Sequence, residues 1–553
     1  MTGVRGHARS AGGIVLLLLM LAAALVTAAV SRPAEAADTP AVEVVVRSVS
    51  TPVLRPDSVL KLGVDIVNNT SRDLDDVTVQ MRVGVNEMTV RTELSEDGAG
   101  TRPVTADEAT VRIPAVRAGQ RESRELTVPA DELGLSDGTA GVYAFNIDAV
   151  DGGSRVASSR LLVPWIPAKA PKAAKSRIGV LWPLIDQPRR DGTTLGDDSQ
   201  TPVFLNDGLA SELADGGRLD ALVDIGATVP EVTWVVDPDL LDTAGEMAGG
   251  YRVAPPQSPD AQAAEAAADA EAEAAEESDG ENSDGEKSDT ETANAAPRTE
   301  EETEQGTGGP TAAAWLDQLR RAVAGETVVA LPYADADLAA IAHAAGPLKT
   351  ELTAELAKAT ALGRTTVQRV LPNQPVRSDV AWPVVGAVDN PVLDTAKANG
   401  ASLVVASGSS LQPRDPHLTY TSSTRLQLTD TTSALVTDHR IDTLLAGGMN
   451  DPNRRLEIQQ ALIAELFTIA MEQPQLQRSL LIALPRTADA GLAQAVAGAL
   501  QAAAGADGWY EMVSLDALGQ TAAGEDRTMK VYPPELRRTE PSERYLKSVP
   551  QLQ

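Results

Sequence analysis

The chain has 553 residues, of which 43% are hydrophobic but only 3% aromatic, and its formal net charge is −31. This length predicts two or three domains, and their cores must be built from Ala, Val and Leu rather than from aromatic rings. The negative charge disfavours binding to nucleic acid or anionic lipid, because both need Lys and Arg to displace counterions.

Side chains that commonly bind metals are scarce. The absence of cysteine excludes a lipoprotein anchor, thiolate zinc sites and cysteine nucleophiles. The four histidines, His7, His343, His417 and His439, are isolated from one another. The sequence also lacks G-x-G-x-x-G, a P-loop and a G-x-S-x-G nucleophile elbow, so we expect neither a metal nor a cofactor.

Residues 1–36 have the pattern of a signal peptide. A positively charged start is followed by the apolar run Ile14–Val30, and Ala34-Glu35-Ala36 predicts cleavage before Ala37. The competing interpretation is an uncleaved anchor, because this run is near the lower limit for crossing a bilayer. In both cases we expect the remaining chain outside the cytoplasmic membrane, on its extracellular face or in the cell wall, with membrane contact only through a retained N-terminal segment.

Residues 38–166 consist of short runs in which apolar and polar residues alternate. Val42–Val46, Leu60–Ile66 and Val77–Val83 are three of these runs, and Gly, Asp and Asn turns separate them. Alternation with period two is typical of half-buried strands. Seven or so such strands at regular spacing predict an all-β immunoglobulin-like sandwich.

After an Ala/Pro/Lys linker at 167–176, residues 177–520 alternate apolar strands with helices. This alternation predicts a parallel sheet covered by helices. Six to eight units favour an α/β domain of the (β/α)-barrel-like type, with a doubly wound open sheet as the alternative. The pattern of Arg454–Met471 predicts a strong amphipathic helix, and 521–553 is expected to be a C-terminal tail.

An acidic, low-complexity segment interrupts the second domain at 255–310. Between Asp260 and Glu304 there are 17 acidic and 2 basic residues, and almost no apolar residue other than Ala. Such a composition buries too little surface to offset chain entropy, so we expect a disordered insertion.

Short motifs in both domains carry a family resemblance. They are Val64-Asp65-Ile66-Val67-Asn68, Gly141-Val142-Tyr143, Val180-Leu181-Trp182-Pro183-Leu184, Val235-Val236-Asp237-Pro238-Asp239-Leu240-Leu241, Ala330-Leu331-Pro332-Tyr333-Ala334-Asp335 and Ala381-Trp382-Pro383. With the signal, they resemble a family of exported envelope proteins of unknown function from high-GC Gram-positive bacteria.

The resemblance implies a cell-envelope role without naming a reaction. Members of that family are often encoded beside the lipid II flippase of peptidoglycan synthesis. Their second domain is similar in fold to polysaccharide deacetylase and glycosidase barrels. They usually end in a C-terminal transmembrane helix, and no such helix is expected before Gln553.

Four acids at or near strand ends are weak candidates for catalysis: Asp186, Asp237, Asp335 and Asp438. In a β/α barrel, the loops after the strands form the active face, where paired carboxylates can act on a glycan. The preferred alternative is that such residues cap the next helix, as 237–239 and 335–337 suggest. Likewise, Trp182, Trp234 and Trp382 are expected to pack in the core rather than stack on sugars.

Metal-dependent deacetylation is disfavoured because the H-x-x-x-H pair of the deacetylases is missing. Asp438-His439 with Asp442 is a partial match, for which a surface turn before a helix is the preferred interpretation. Two hypotheses remain. The first is a non-catalytic envelope protein that binds wall glycan or a membrane protein of wall synthesis. The second is a glycan-active hydrolase that uses strand-end carboxylates.

Overall fold

The computed structural model describes most of the chain. The described residues are 40–96, 100–135, 139–170, 172–197, 199–255, 298–448, 452–505 and 508–549. The expected signal, 1–36, and most of the expected acidic insertion lie outside them. Within the described residues, no helix is long and apolar enough to cross a membrane.

The N-terminal region consists of two antiparallel sheets. Their strands are β1 (Val42–Val49), β2 (Val59–Asn68), β3 (Leu74–Gly84), β4 (Thr101–Pro103), β5 (Thr110–Val116), β6 (Arg121–Pro129), β7 (Gly141–Asp151) and β8 (Ser154–Trp165). One sheet has the order β1-β2-β6. In the other, β4 and β5 lie on one edge of β3, and β7 and β8 follow on its opposite edge.

The two sheets share one apolar core. Leu60, Leu62 and Ile66 on β2 are fully buried against residues of the other sheet such as Met81 and Phe145. The alternating pattern arises because every second side chain of a strand points to the same face.

The second region is built from several sheets. Its strands are β9 (Ser176–Leu184), β10 (Arg190–Thr194), β11 (Pro202–Phe204), β12 (Thr233–Val236), β13 (Arg252–Val253), β14 (Glu304–Gln305), β15 (Val328–Ala330), β16 (Val376–Arg377), β17 (Val380–Ala381), β18 (Leu403–Ala406), β19 (Leu411–Pro413), β20 (Arg425–Gln427), β21 (Ser433–Val436), β22 (Ser479–Ala483), β23 (Tyr510–Met512) and β24 (Arg527–Met529).

The largest sheet has the order β16-β15-β12-β9-β22, with β23 also beside β9, and all its pairings are parallel. A second sheet has the order β17-β18-β21-β20, in which only the β20 pairing is antiparallel. Inward-facing residues of both sheets belong to a single buried cluster, which includes Leu181, Val235, Val329, Val405 and Leu435. The two parallel sheets therefore face a common interior.

Helices cover the outside of these sheets. They are α1 (Arg91–Leu94, in the sandwich), α2 (Gly208–Leu213), α3 (Arg218–Gly226), α4 (Pro238–Gly249), α5 (Gly309–Ala322), α6 (Leu338–His343), α7 (Gly346–Val370), α8 (Asn390–Ala398), α9 (His439–Gly448), α10 (Arg455–Glu472), α11 (Ala490–Ala504), α12 (Leu515–Gly519), α13 (Pro534–Thr539) and α14 (Glu543–Ser548).

Two expectations were wrong in part. Residues 298–310 were assigned to the disordered insertion, yet β14 pairs with β13, and Arg298 forms an ion pair with Asp191 at 2.6 Å. Residues 521–549 were assigned to a tail, yet β24 pairs with β19 and two helices follow. Pairing with distant strands orders these polar segments, and local composition does not reveal it.

Helix α10 joins the two regions. Its residues Leu462–Ala470 are all buried, so this stretch has no solvent-exposed face, unlike the amphipathic helix that was expected. The reason is that the sandwich covers the face that solvent would otherwise contact. Gln460, also fully buried, donates from Nε2 to the carbonyl oxygens of Pro52 (3.2 Å) and Leu162 (3.4 Å) in the sandwich.

A buried ion cluster closes the same interface. The guanidinium of Arg91 on α1 donates to both carboxylate oxygens of Asp438 at 2.6 and 2.7 Å. Its Nε donates to Glu465 on α10 at 2.6 Å. Burial by itself would lower the pKa of Arg91, but Asp438 and Glu465 outweigh it and raise that pKa.

The Arg91→Met variant is expected to be less stable by about 3–5 kcal/mol, because Asp438 would lose the guanidinium that binds both of its oxygens and Glu465 would keep only Arg440. Denaturant unfolding measures this change. The matched control is Arg112→Met in the same sandwich, where an exposed Arg112–Asp76 pair is lost and no measurable change is expected. Equal losses in the two variants would contradict this role of Arg91.

Candidate functional site

Asp237 lies directly after β12 and begins α4. Its Oδ1 accepts a hydrogen bond from the backbone N–H of Asp239 at 3.0 Å, which confirms the expected helix cap. The side chain is only 2% exposed. Burial raises the pKa of Asp237 to about 8, and repulsion from Asp239 and Asp335 acts in the same direction. Asp237 is therefore mostly a neutral carboxylic acid at neutral pH.

Asp335 follows β15 in a strained turn. Ala334 and Asp335 have φ angles of 57° and 45°, in the left-handed region that residues other than glycine seldom adopt. Arg486 holds the carboxylate, with Nε 2.6 Å from Oδ2. Burial raises the pKa of Asp335, and Arg486 offsets part of that rise. The cap of the next helix is Asp337, whose Oδ1 accepts from the N–H of Ala339 at 2.9 Å.

Arg486 also fixes Trp382 at the end of the neighbouring strand. Its Nη2 donates to the carbonyl oxygen of Trp382 at 2.6 Å, and its guanidinium lies 4.3 Å from the centre of the indole ring. Trp382 is 9% exposed, and Trp182 and Trp234 are fully buried. The expected core role of the three tryptophans is confirmed.

Asp186 and Asp438 are both bound by arginines. Asp186 accepts from Arg189 at 2.8 Å and from Arg218 at 3.2 Å. Asp438 accepts from Arg91 and from the backbone N–H groups of Arg440 and Ile441, both at 3.1 Å. Burial would raise the pKa of Asp438, but Arg91 and these N–H groups lower it overall.

The structure thus places the four candidates in different surroundings. Asp237 and Asp335 are close enough for the charge of one to raise the pKa of the other. Asp186 acts in the same way on Asp239. Asp438 instead lies against Arg91 of the sandwich. Sequence reasoning found the acids but not their arginine partners. Arg91, Arg218 and Arg486 are distant in sequence from the acids that they bind, and no local pattern singles them out.

A polar network beside Asp237 was also missed. Arg190 donates to Tyr333 Oη at 2.7 Å and to Glu246 at 2.9 Å, and it lies 3.5 Å from Asp239. Tyr333 in turn donates to Asp242 at 3.2 Å. Burial raises the pKa of Tyr333. The network connects β10 and α4 across the carboxyl ends of the strands.

No group of three His, Asp or Glu side chains among the described residues could hold a metal ion. Asp442, part of the partial match with His439, accepts from Thr437 Oγ1 at 2.6 Å and Ser407 Oγ at 3.3 Å. Burial raises its pKa to about 6. His343 lies between Glu540 at 2.8 Å and Asp389 at 3.1 Å, which attaches α6 to the C-terminal helices.

A cleft of about 890 Å³ lies where the two regions meet, and we call it the interdomain cleft. Its walls are α1, the 412–422 loop, the start of α9 and the strand β24. Gly408 lies where β18 passes the end of β21. A Cβ there would be 2.7 Å from the carbonyl oxygen of Thr437, so this close approach requires glycine.

Together these features define a multidomain, mixed α/β protein in which arginines bind three of the four strand-end candidates and the fourth, Asp237, caps a helix. The chain belongs to DUF6049, a family of unknown function whose model matches residues 7–549. No curated protein matches the chain.

Similarity to solved structures is weak. The α-amylase AmyC from Thermotoga maritima is 9% identical over 66% of this chain and 79% of its own, with a TM-score of 0.33. Spo0M, a sporulation control protein from Bacillus subtilis, is 12% identical over 23% of this chain and 50% of its own, with a TM-score of 0.17. A β-glucosidase from Listeria innocua is 12% identical over 24% of this chain and 16% of its own, with a TM-score of 0.17.

The raised pKa of Asp237 predicts how stability depends on pH. The unfolded chain loses this proton near its ordinary value of 3.8, whereas the folded chain keeps it until about pH 8. The folded state therefore binds more protons in that interval, and stability falls as pH rises through it. Asp237→Asn removes the titration and keeps the capping oxygen.

We expect wild type to lose stability relative to Asp237→Asn between about pH 5 and about pH 8, by at most about 1.4 kcal/mol per pH unit. Urea unfolding at several pH values measures the difference. The control is Asp394→Asn at an exposed position of α8, for which the difference from wild type should be constant. A constant difference for Asp237→Asn as well would contradict the raised pKa.

Proposed function

We propose that this protein is a non-catalytic, exported component of the bacterial cell envelope that binds wall glycan or a membrane protein of peptidoglycan synthesis. The observation that carries the proposal is that each strand-end acid already has a structural role. Arginines bind Asp186, Asp335 and Asp438, while Asp237 caps a helix and is 2% exposed. A glycosidase needs two carboxyl groups that can reach the glycosidic bond and a water. Here the four acids are instead bound by arginines or buried at a helix cap.

The proposed architecture follows from the strand pairings. We assign the N-terminal sheets to an immunoglobulin-like sandwich, because two antiparallel sheets enclose one core. We assign the second region to the barrel-like class, since its parallel strands contribute residues to a common interior. A hydrogen bond from the N–H of Thr424, next to β20, to the carbonyl oxygen of Ser479 on β22 links the two parallel sheets on one side.

The proposed location outside the cytoplasmic membrane is supported by the sequence of residues 1–36, with its apolar run and Ala34-Glu35-Ala36. Retention of that segment would anchor the protein at the membrane surface, and cleavage would release it to the wall. Both arrangements place the interdomain cleft where envelope glycans and the outer faces of membrane proteins are accessible.

A glycan-active hydrolase is the second candidate function, and one observation favours it. Asp237, whose pKa is about 8, is protonated at neutral pH as a general acid must be, and it lies close to Asp335. The strained turn at Ala334–Asp335 is of the kind that occurs at active sites. Two observations argue against this function. Arg486 binds the carboxylate of Asp335, and Asp237 is only 2% exposed.

The test is to incubate purified mature protein with purified cell-wall sacculi, and to measure both co-sedimentation and released sugar fragments. We expect co-sedimentation without release. Asp237→Asn and Asp335→Asn should co-sediment as wild type does, because neither carboxyl group contacts the ligand in this proposal. Mature protein with the Arg112→Met substitution serves as a folded control.

Release of sugar that disappears in either Asn variant would establish the hydrolase and refute the non-catalytic proposal. Absence of both binding and release would exclude the wall as the ligand. It would leave a membrane protein of wall synthesis, which crosslinking in intact cells would then identify or exclude.

A further inference from the structure

We infer that the interdomain cleft is a binding site for the anionic group, phosphate or carboxylate, of a charged glycan. This inference rests on the proposed function, because it names the chemistry of the glycan that the proposed envelope protein binds. It is carried by two cations on and beside β24, Arg527 and Lys530, which line the cleft and have no carboxylate partner within ion-pair distance among the described residues.

The guanidinium of Arg527 is fixed without being neutralised. Its Nη1 donates to the carbonyl oxygen of Leu411 at 2.9 Å, and its Nη2 donates to that of Ser423 at 3.2 Å. Its Nε is buried and has no acceptor in the described part of the chain. Two backbone dipoles orient the group, but neither supplies the negative charge that a buried cation needs.

The pKa of Arg527 is lowered, because burial outweighs the attraction of Asp438 and Glu525. At Arg91, which also lines the cleft, the balance is reversed, since Asp438 and Glu465 raise the pKa despite burial. A bound anion would supply Arg527 with a paired negative charge, as Asp438 and Glu465 do for Arg91.

Two of the three carboxylates that line the cleft are paired with arginines. Asp438 is bound by Arg91, and Glu472 lies 3.0 Å from Arg478. The third, Asp415, is exposed to solvent and accepts from the backbone N–H of His417 at 2.9 Å. Asp438 and Glu472 therefore do not cancel the charge of Arg527 and Lys530, although the whole chain carries a net charge of −31.

The rest of the lining suits a sugar. The cleft volume of about 890 Å³ is within the range of small-molecule sites. Tyr420 and Leu418 offer apolar surface, and the hydroxyls of Thr419 and Thr528 are available for hydrogen bonds to a sugar. An anion on β24 with rings along the 412–422 loop would fill the space between the two regions.

The test measures binding of glucose 6-phosphate, glucuronate and glucose to the mature protein by calorimetry. We expect at least one charged sugar to bind and glucose to bind at least about tenfold more weakly. Lys530→Glu should weaken binding of the charged sugar by about tenfold or more, since it reverses an exposed charge on the cleft wall. The matched control, Lys61→Glu on the exposed face of β2, should bind as wild type does.

Arg527→Gln provides a second variant, and its thermal unfolding is measured alongside because Arg527 also binds the backbone of β19 at Leu411 and of Ser423. Preference for the phosphate or for the carboxylate probe identifies the anionic group. If neither charged sugar binds, or if Lys530→Glu and Lys61→Glu bind equally well, the inference is wrong.

Sacculus co-sedimentation separates this inference from the proposed function. Sacculus binding that survives in Lys530→Glu would overturn the cleft as the site and leave the wall-binding proposal standing. Charged-sugar binding without sacculus binding would support the cleft and overturn the wall as its source.

Discussion

The buried cation Arg91 is the constraint on which the arrangement of the two regions depends. It extends from a short helix of the sandwich into the second region, where Asp438 and Glu465 bind it. Removing these three charges from water is costly. Their mutual pairing offsets the cost, together with Arg440 on Glu465 and two backbone N–H groups on Asp438. The sandwich and the second region are therefore fixed in one relative orientation, and α10, buried on all sides, fills the space between them.

The interdomain cleft is a consequence of that constraint. Arg91 forms part of one wall and β24 forms another, so the cleft has its shape only while the regions stay joined. The same principle of charge pairing holds at the strand ends, where Arg189, Arg218 and Arg486 bind acids. The strand-end acids therefore serve to stabilise the fold. Arg527 and Lys530, which line the cleft, have no carboxylate partner among the described residues.

Much of the local structure could be predicted from the sequence. Alternating residues in 38–166 indicated strands, and Asp237-Pro238-Asp239 indicated a helix cap, because both signals are local and depend only on neighbouring residues. The contacts between distant segments could not be predicted. Nothing near Arg486 in the sequence indicates that it binds Asp335. Likewise, the amphipathic pattern of 454–471 does not reveal that the N-terminal sandwich covers the polar side of that helix.

We expect the two regions, joined through Arg91 and α10, to unfold as one cooperative unit. The most direct measurement is the unfolding of the protein by denaturant, followed by far-ultraviolet circular dichroism and by tryptophan fluorescence. With Trp165 in the sandwich and Trp182 in the second region, fluorescence reports on both. The account predicts that the two signals change in a single, coincident transition. Two separate transitions, in which one region unfolds while the other keeps its structure, would contradict it.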